Sequence, residues 1–425
     1  MRVLIVNTSE QTGGAAVAAN RLMEALNNHG VKAMMLVQKK ETDCLTVAGL
    51  PRSPLLRWHF LWERLVIFFH LHFSRKHLFE IDIANAGTDI TRLPEFRNAD
   101  IIHLHWINQG MLSLSGIRKI LQSGKPVVWT MHDMWPATAI CHHAHDCRGF
   151  EVSCGNCPFM PRQSQNDLSA RIFRKKQQVL ATADRLTFVA VSSWLAGCAR
   201  RSGLTGHFPV KVIPNAISLS RFTPVDRMAA RSALGIRESV VLSFGAARID
   251  DSIKGFNYLL DALRLLVSDG RLSANDVRLV LFGGVRDRSV FDHVPVNYTY
   301  LGYINDEAEL SRIYSASNAT ISSSLYETFG QTLIEAMACG SVPVSFAGSG
   351  QMDIIDHLQT GYLADRLSAE SLADGIEWAV KSQLSVRDLR ESVAKRYSAG
   401  VIANQYVTLY EDVLRQKHRL GSGEV

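Results

Sequence analysis

Short runs of β-branched and aliphatic residues alternate with amphipathic stretches along most of the chain. Runs that are apolar at nearly every position, and that are separated by helical patterns, are typical of parallel strands buried on both faces of a sheet. The strands predicted in this way lie at residues 3–6, 33–37, 101–105, 127–131, 187–191, 240–245, 277–283, 319–323 and 343–347. The pattern therefore predicts an α/β protein.

The alternation is interrupted between residues 209 and 224, where three prolines and few periodic positions predict a linker. A chain of 425 residues accommodates two or three domains, since a domain has about 100–200 residues. We therefore predict two doubly wound domains, residues 1–215 and 216–400, that face an interdomain cleft. A last helical stretch near residues 400–420 follows the second domain, and we expect it to pack back on the first.

Composition and charge restrict the class of protein. A hydrophobic fraction of 47% excludes a disordered chain. The net charge of +6 favours anionic partners, but it is far below that of a dedicated nucleic-acid binder, so we expect no nucleic-acid partner. No apolar run reaches the roughly 18 residues of a membrane span, and the N-terminus lacks the pattern of a signal peptide. We expect a cytoplasmic protein with reduced cysteines.

The most informative segment is SSSLYETFGQTLIEAMACGSVPVSF, residues 322–346. It ends a predicted strand, crosses a loop that carries Glu327 and Gly330, and begins a helix near Gln331. Amides and the dipole at a helix N-terminus bind anions such as a diphosphate. Glu335, one turn inside the helix, can accept hydrogen bonds from ribose hydroxyls, and Glu327 can reach sugar hydroxyls beyond the phosphates. Two solvated glutamates are the alternative, which the whole string disfavours.

This segment resembles the E-x7-E signature of retaining nucleotide-sugar glycosyltransferases with the GT-B fold (glycosyltransferase family 4, glycosyl transferases group 1), including bacterial polysaccharide-biosynthesis members with a cysteine insert. The resemblance implies two Rossmann-like domains and a nucleotide-diphosphate-sugar donor. It implies no cofactor for catalysis. It also implies no protein general base, because the leaving diphosphate accepts the acceptor proton during front-face attack. The residues of this segment that it implies for donor binding are Phe329, Gly330, Gln331, Thr332 and Glu335, with Glu327 as a catalytic residue.

Two more segments of the second domain fit the same resemblance. In FGAARIDDSIKGFNYLLDAL, residues 244–263, Arg248 and Lys254 hold the positions that clamp the donor diphosphate. Fixed cations can neutralise such a leaving group when no metal is used. Tyr303 or Ile304 is expected beside the nucleotide base, and ordinary loop packing is the alternative for either residue.

The first domain contributes two candidate positions. Gly13 and Gly14 lie between the first strand and a helix but do not form a G-x-G-x-x-G fingerprint. The resemblance implies that they allow close approach of donor phosphate and acceptor, and a generic tight turn is the alternative. His132 ends the strand at 127–131, where the resemblance places it beside the anomeric carbon as a catalytic residue that bonds a sugar hydroxyl. A core histidine is the alternative.

Four of the seven cysteines lie close together in the chain, at Cys141, Cys147, Cys154 and Cys157. Four thiolates suit tetrahedral zinc, and the last pair has the C-x2-C spacing of a zinc knuckle. The spacing predicts either a structural zinc site or unligated thiols. A catalytic role is not expected, because four protein ligands would leave no open position for a substrate.

Residues 55–77 combine aromatic and aliphatic residues with four basic residues and one acidic residue, a net charge of +3. Such a segment suits peripheral contact with an anionic membrane, and a buried helix at the domain edge is the alternative. A second basic run at residues 171–178 is expected to be a solvated helix face.

The resemblance thus implies a retaining hexosyltransferase that moves a sugar from a nucleotide-diphosphate-sugar to a glycan or lipid-linked acceptor in bacterial polysaccharide biosynthesis. It is expected in the cytoplasm or peripherally on the inner face of the cell membrane. The alternatives are a catalytically silent GT-B scaffold at the membrane and a nucleotide-sugar epimerase.

Overall fold

A computed structural model describes residues 1–51 and 53–421. The chain forms two compact units, the first from Met1–Pro214 together with the residues from Ile402 onward, and the second from Asn215–Val401. The boundaries expected from the sequence were 215/216 and about 400.

Each unit is built around one parallel sheet. The strands of the first unit are β1 (Arg2–Val6), β2 (Lys32–Val37), β3 (Val47–Gly49), β4 (Ile101–Leu104), β5 (Val127–Met131), β6 (Leu186–Ala190) and β7 (Val210–Val212). The strands of the second unit are β8 (Val240–Arg248), β9 (Val277–Gly284), β10 (Asn297–Tyr300), β11 (Ala319–Ser322), β12 (Val342–Phe346) and β13 (Tyr362–Ala364). The strand orders are β3-β2-β1-β4-β5-β6-β7 and β10-β9-β8-β11-β12-β13.

Helices connect these strands. They are α1 (Gly14–Asn28), α2 (Pro54–His70), α3 (Pro94–Asn98), α4 (Leu114–Leu121), α5 (Leu168–Leu180), α6 (Ser193–Arg201), α7 (Arg227–Ala233), α8 (Phe256–Ser268), α9 (Glu307–Ala316), α10 (Gln331–Ala338), α11 (Ala369–Lys381), α12 (Val386–Tyr397) and α13 (Ala399–Gly421). The α/β class and the two Rossmann-like sheets predicted from the sequence are confirmed. In the described ranges, no helix combines the length and the apolar character needed to cross a membrane.

The strands that sequence patterning missed include the edge strands β3, β7, β10 and β13. β7 is a correction, because its residues lie in the region that we expected to be a linker. It has only three residues, and none of them is buried. β10 has the sequence NYTY and no buried residue. Edge strands of this kind lack the continuous apolar run that predicts a central strand.

The strand order of each sheet reverses at one point, between β1 and β4 in the first unit and between β8 and β11 in the second. Ligands of open α/β sheets bind outside the carboxyl ends of the strands at this switch point. The loops after these four strands, together with the loop after β5, carry most of the candidate residues.

The C-terminal part of α13 belongs to the first unit. The Tyr410 hydroxyl lies 2.7 Å from Nδ1 of His103 on β4, and the Tyr406 hydroxyl lies 2.8 Å from Oγ1 of Thr130 on β5. All four side chains are buried. These paired polar groups fix the helix on the sheet, because a buried polar group without a partner is costly.

Candidate active site

The loop after β8 approaches the end of β11 closely. It contains a single 3₁₀ turn, Ser252–Lys254, and then Gly255 in the left-handed region at φ 64°. A Cβ on Gly255 would lie 2.0 Å from the carbonyl oxygen of Ser323. The Ser323 hydroxyl also donates to the Gly255 carbonyl at 2.9 Å. Glycine is therefore required here for both the backbone conformation and the approach of the two loops.

This approach brings two predicted site residues together. Nζ of Lys254 lies 2.7 Å from Oε1 of Glu327. Two hydrogen bonds fix the backbone of Glu327 to the segment after β12. The Glu327 amide donates to the Ser349 hydroxyl at 3.0 Å, and the Gly350 amide donates to the Glu327 carbonyl at 2.7 Å. Side-chain exposures of 28% for Lys254 and 20% for Glu327 leave the pair accessible to a ligand.

Arg248, the other predicted cation, is held by the two acidic residues that follow it. Its Nη2 lies 3.1 Å from Asp251 Oδ2, and its Nε lies 3.5 Å from Asp250 Oδ1. The second oxygen of Asp250 accepts the amides of Arg286 and Asp287 at 3.2 and 3.3 Å. These carboxylates therefore orient the guanidinium of Arg248.

The N-terminus of α10 follows the Glu327 loop. Its cap residue is Gly330 at φ 109°, which makes no side-chain capping bond. The nearby Nε2 of Gln331 is buried and has no hydrogen-bond partner in the described residues. A helix that begins on glycine keeps its first amides for other acceptors, and its dipole favours an anion. The predicted Thr332 is the second residue of the helix.

Phe329 and Glu335 lie on either side of this helix start. Phe329 is 3% exposed and packs edge-on against Tyr397, with 5.7 Å between ring centroids. Glu335 is 6% exposed, and its Oε2 accepts a hydrogen bond from the Tyr314 hydroxyl at 3.2 Å. The solvated-glutamate alternative is therefore wrong for Glu335, whose carboxylate is buried and held.

Tyr303 and Ile304 follow β10, which is two strands away from β8 in the sheet. Gly302 has φ 73°, and its carbonyl accepts the Gly283 amide at 2.7 Å, which fixes the loop at the end of β9. Tyr303 is 57% exposed and Ile304 is half-buried. Contact of either residue with a nucleotide base stays a prediction.

In the first unit, His132 directly follows β5 and is half-buried. Its Nε2 lies 2.8 Å from Nδ1 of His105, which follows β4 on the neighbouring strand. Burial lowers the pKa of His132 to about 4 and that of His105 well below its usual value. Both imidazoles are therefore neutral at pH 7, so one ring donates the shared hydrogen bond and the other accepts it.

His105 is a residue that sequence reasoning missed, because its run was interpreted as strand core. Its Nε2 is buried and has no partner within the described chain. A buried lone pair without a partner is more common than a buried N–H without one. This favours the tautomer in which His105 Nδ1–H donates to His132 Nε2, which places the proton of His132 on Nδ1.

The carboxylate next to His132 has a structural role. Asp133 Oδ2 accepts from His142 Nδ1 at 2.7 Å and from Trp106 Nε1 at 2.8 Å, and Oδ1 accepts the Trp135 amide at 2.8 Å. Burial opposes ionisation, but the contact with His142 lowers the pKa of Asp133 to about 2. Asp133 thus fixes the loop that carries His132.

The glycine pair after β1 forms the start of α1. Gly13 is the cap residue at φ 90°, and Gly14 is the first helical residue. No atom lies within 4 Å of a Cβ built on Gly13. Glycine is thus required at residue 13 by the backbone angle, and the close approach of donor and acceptor stays a prediction.

The four clustered cysteines line one small cavity, together with Phe150 and Phe159. Burial raises the pKa of Cys154 to about 12 and that of Cys157 to about 11. Across the described part of the chain, no three His, Cys, Asp or Glu side chains form a group that could hold a metal ion. The zinc site stays a prediction.

The basic run at 171–178 is only partly the solvated face that we expected. Arg171, Arg174 and Lys175 are exposed, but Lys176 is buried. Its Nζ donates to the carbonyls of Trp135 and Thr138 at 2.6 and 3.0 Å. Burial lowers the pKa of Lys176 to about 7. Spacing along a helix could not show that this one lysine faces inward.

Comparison with known proteins identifies both halves of the chain. The family model described as Glycosyltransferase Family 4 matches residues 12–221, and the one described as Glycosyl transferases group 1 matches residues 226–396. A glycosyltransferase of Methanocaldococcus jannaschii is 23% identical over 373 residues, which are 80% of this chain and 91% of that protein.

Solved structures show the same fold over almost the whole chain. Sucrose-phosphate synthase from Thermosynechococcus elongatus has a TM-score of 0.66 at 19% identity, covering 98% of this chain and 100% of that one. HepE from Anabaena, in complex with UDP and glucose, has a TM-score of 0.62 at 16% identity, covering 97% and 100%.

Proposed function

The chain belongs to the GT-B glycosyltransferases of family 4, and we propose that it is a retaining hexosyltransferase. It takes a sugar from a nucleotide-diphosphate-sugar and adds it to a glycan or lipid-linked acceptor in bacterial polysaccharide biosynthesis. The observation that carries the proposal is the Lys254–Glu327 pair at the switch point of the second sheet, on the loops that also carry Arg248 and the start of α10. HepE, which shares the fold, has been crystallised with UDP and glucose.

The cations act on the leaving group. As the bond between the anomeric carbon and the diphosphate breaks, negative charge grows on the diphosphate oxygens. Arg248 and Lys254 stabilise that charge, and so do the free amides at the start of α10. Glu327 holds Lys254 until the donor binds and then accepts hydrogen bonds from hydroxyls of the sugar. Glu335, fixed by Tyr314, accepts from the ribose hydroxyls.

Retention follows when the acceptor attacks from the face that the diphosphate leaves. The acceptor oxygen forms a bond to the anomeric carbon, the carbon–phosphate-oxygen bond breaks, and the acceptor proton moves to the departing diphosphate. No side chain needs to take that proton. His132, neutral at pH 7, serves as a hydrogen-bond partner of a sugar hydroxyl.

The other two functions suit the second unit less well. A catalytically silent scaffold does not require a fixed pair of cations and two glutamates on the donor loops. A nucleotide-sugar epimerase requires acid and base residues at the sugar carbon that changes configuration, and the role given to His132 supplies neither.

The test is a panel of nucleotide-sugars, scored for hydrolysis and for transfer to glycan and lipid-linked acceptors. We expect one donor to be consumed and the product to keep the anomeric configuration of the donor in an NMR spectrum. Glu335→Gln should abolish turnover of that donor, while Arg264→Gln, an exposed change on α8, should not. Inversion of the anomeric configuration, or turnover unaffected by Glu335→Gln, would contradict the proposal.

A further inference from the structure

The outer face of α2 is covered by large apolar side chains. Between 42% and 61% of each side chain is exposed, and the spacing of three or four residues aligns them in one stripe along the helix. These residues are Leu55, Trp58, Leu61, Trp62, Leu65 and Phe69. The alternative of a buried helix is therefore wrong for this face. We call these six residues the α2 stripe.

The inner face of the same helix carries two polar residues beside the buried Ile67. Glu63 and Arg64 are buried, and Arg64 donates to the Leu78 carbonyl at 2.7 Å, to the Ile81 carbonyl at 3.1 Å and to Asp82 at 3.0 Å. Helices on the surface of soluble proteins place charged residues outward and apolar residues inward. α2 departs from this order, because its outer face carries the apolar stripe while Arg64 is buried. The buried Arg64–Asp82 ion pair holds the helix in the orientation that exposes the stripe.

The turn after α2 continues the stripe. Phe73 is 64% exposed and adopts the left-handed region at φ 64°. Its ring lies edge-on to Phe69 and Phe68, with centroids 5.2 and 5.6 Å away. A bulky residue is uncommon in this region of φ, and here it extends the aromatic surface beyond the end of the helix.

A basic groove adjoins this end of the stripe. It runs from Phe69 to the start of α5 and is lined by Arg162 and Arg171, both exposed. Asp167 also lines it, but its carboxylate is directed to the Cys157 amide at 2.8 Å and to the Ser169 hydroxyl at 2.6 Å. The groove therefore offers guanidinium groups beside an aromatic surface.

We propose that the α2 stripe and this groove dock on an anionic phospholipid bilayer. The helix lies in the plane of the interface with the stripe among the upper acyl chains, where tryptophan is favoured. The two arginines bind lipid phosphates at the same level. The basic groove beside the stripe favours an anionic bilayer over a second copy of the chain, because the arginines of two such grooves would repel each other. This docking surface rests on the proposed function for the existence of an acceptor. It specifies that the acceptor is carried by a lipid.

The test measures binding of the full chain to vesicles that contain no acceptor. Wild type should float with vesicles of phosphatidylethanolamine and phosphatidylglycerol, and acyl chains brominated near the headgroup should quench its tryptophan fluorescence. Trp58→Gln with Trp62→Gln should weaken binding by at least about tenfold. The matched control is Leu45→Gln with Met228→Gln, which are exposed apolar residues outside the stripe.

The charge contribution is tested separately. Arg162→Gln with Arg171→Gln should weaken binding by about fivefold for each arginine at low salt. In high salt, wild type should lose the affinity that these two arginines contribute. It should also bind phosphatidylcholine vesicles less tightly than anionic vesicles. Arg92→Gln with Arg118→Gln, on another surface of the first unit, should bind as wild type does.

Three outcomes would overturn the proposal: wild type that does not bind anionic vesicles, tryptophan variants that bind as well as wild type, or a dimer that buries the stripe in solution. Titration of the nucleotide-sugar donor into the same variants separates this inference from the proposed function. A variant that loses vesicles but keeps the donor supports the docking surface. A wild type that binds vesicles but takes no donor refutes only the proposed function.

Discussion

The two sheets carry their polar residues differently at the carboxyl edge. In the second unit, Lys254 and Glu327 are paired on loops and remain partly exposed. In the first unit, His103 and His105 are buried and neutral. An accessible charged side chain can exchange its ion-pair partner for an anionic ligand. A buried neutral side chain is instead held in place by hydrogen bonds to its neighbours. We infer that the second sheet binds charge and that the first provides rigid, uncharged hydrogen-bond partners.

The largest effect on stability is expected from a substitution in the first unit. Removing Arg64 leaves Asp82 as a buried charge without its partner. We expect Arg64→Ala to lower the free energy of unfolding by about 3–5 kcal/mol. Chemical denaturation of this variant and of wild type measures the change.

Glu63 provides the matched comparison. Burial and the nearby Asp82 carboxylate raise the pKa of Glu63 to about 9, so it is uncharged at pH 7. Glu63→Gln imitates the protonated form and should cost less than about 1.5 kcal/mol. Equal losses for Arg64→Ala and Glu63→Gln would show that this cluster is not arranged as we describe.

The same kind of change in the second unit should affect activity and not folding. Lys254→Ala should lower the turnover rate by about 100- to 1,000-fold, the effect of removing one preorganised donor to a developing charge. Its melting temperature should stay within about 2 °C of wild type, because a partly exposed ion pair contributes little stability. Steady-state kinetics and calorimetry check both values. A collapse in stability with unaltered turnover of the folded fraction would remove the distinction between the units.

His105 sharpens the comparison, since it is a positioning residue for His132. His105→Phe keeps the ring but removes the hydrogen bond to His132, and we expect the turnover rate to fall by about 10- to 100-fold as His132 loses its orientation. The Michaelis constant for the donor should change little. His105→Asn, which can still donate to His132, should recover part of the rate. A fall in donor affinity with unchanged turnover would contradict this role.

The neutral histidines also predict how stability depends on pH. Burial lowers the pKa of His103 to about 3 and that of His132 to about 4, whereas both titrate near 6.5 when unfolded. Below that value the unfolded chain binds protons that the native chain does not, so stability is present above pH 6.5 and is lost as the pH falls. Each histidine contributes a slope of up to about 1.4 kcal/mol per pH unit. His103→Gln should flatten the decline between pH 6 and 4, and an unaltered slope would argue against a buried neutral His103.

The candidate residues of the second unit could be predicted from the sequence more fully than the histidine pair of the first unit, for a physical reason. Lys254, Glu327 and Glu335 lie on loops and at a helix start, and each can be recognised from a short stretch of consecutive residues. The loop after β8 and the loop after β11 then meet in the structure. The hydrogen bond between His105 and His132 joins residues that are 27 positions apart in the chain, and only the pairing of β4 with β5 brings them to one edge.

The same limit applies to the orientation of α2. The composition of residues 55–77 suggested a basic amphipathic segment, but it could not show that Glu63 and Arg64 face inward. That orientation depends on the contact with Asp82, which lies on the segment after the helix. Lys176 was missed for the same reason, since the carbonyls that bind it come from the loop after β5.

The central claim is that Arg248 and Lys254 bind the diphosphate of the donor, and calorimetric titration of a nucleoside diphosphate tests it most directly. We expect wild type to bind, Arg248→Ala to bind at least about tenfold more weakly because a charge-assisted contact is lost, and Arg264→Ala on the neighbouring helix to match wild type. Equal affinities for wild type and Arg248→Ala, or no binding of any nucleoside diphosphate by wild type, would contradict the account.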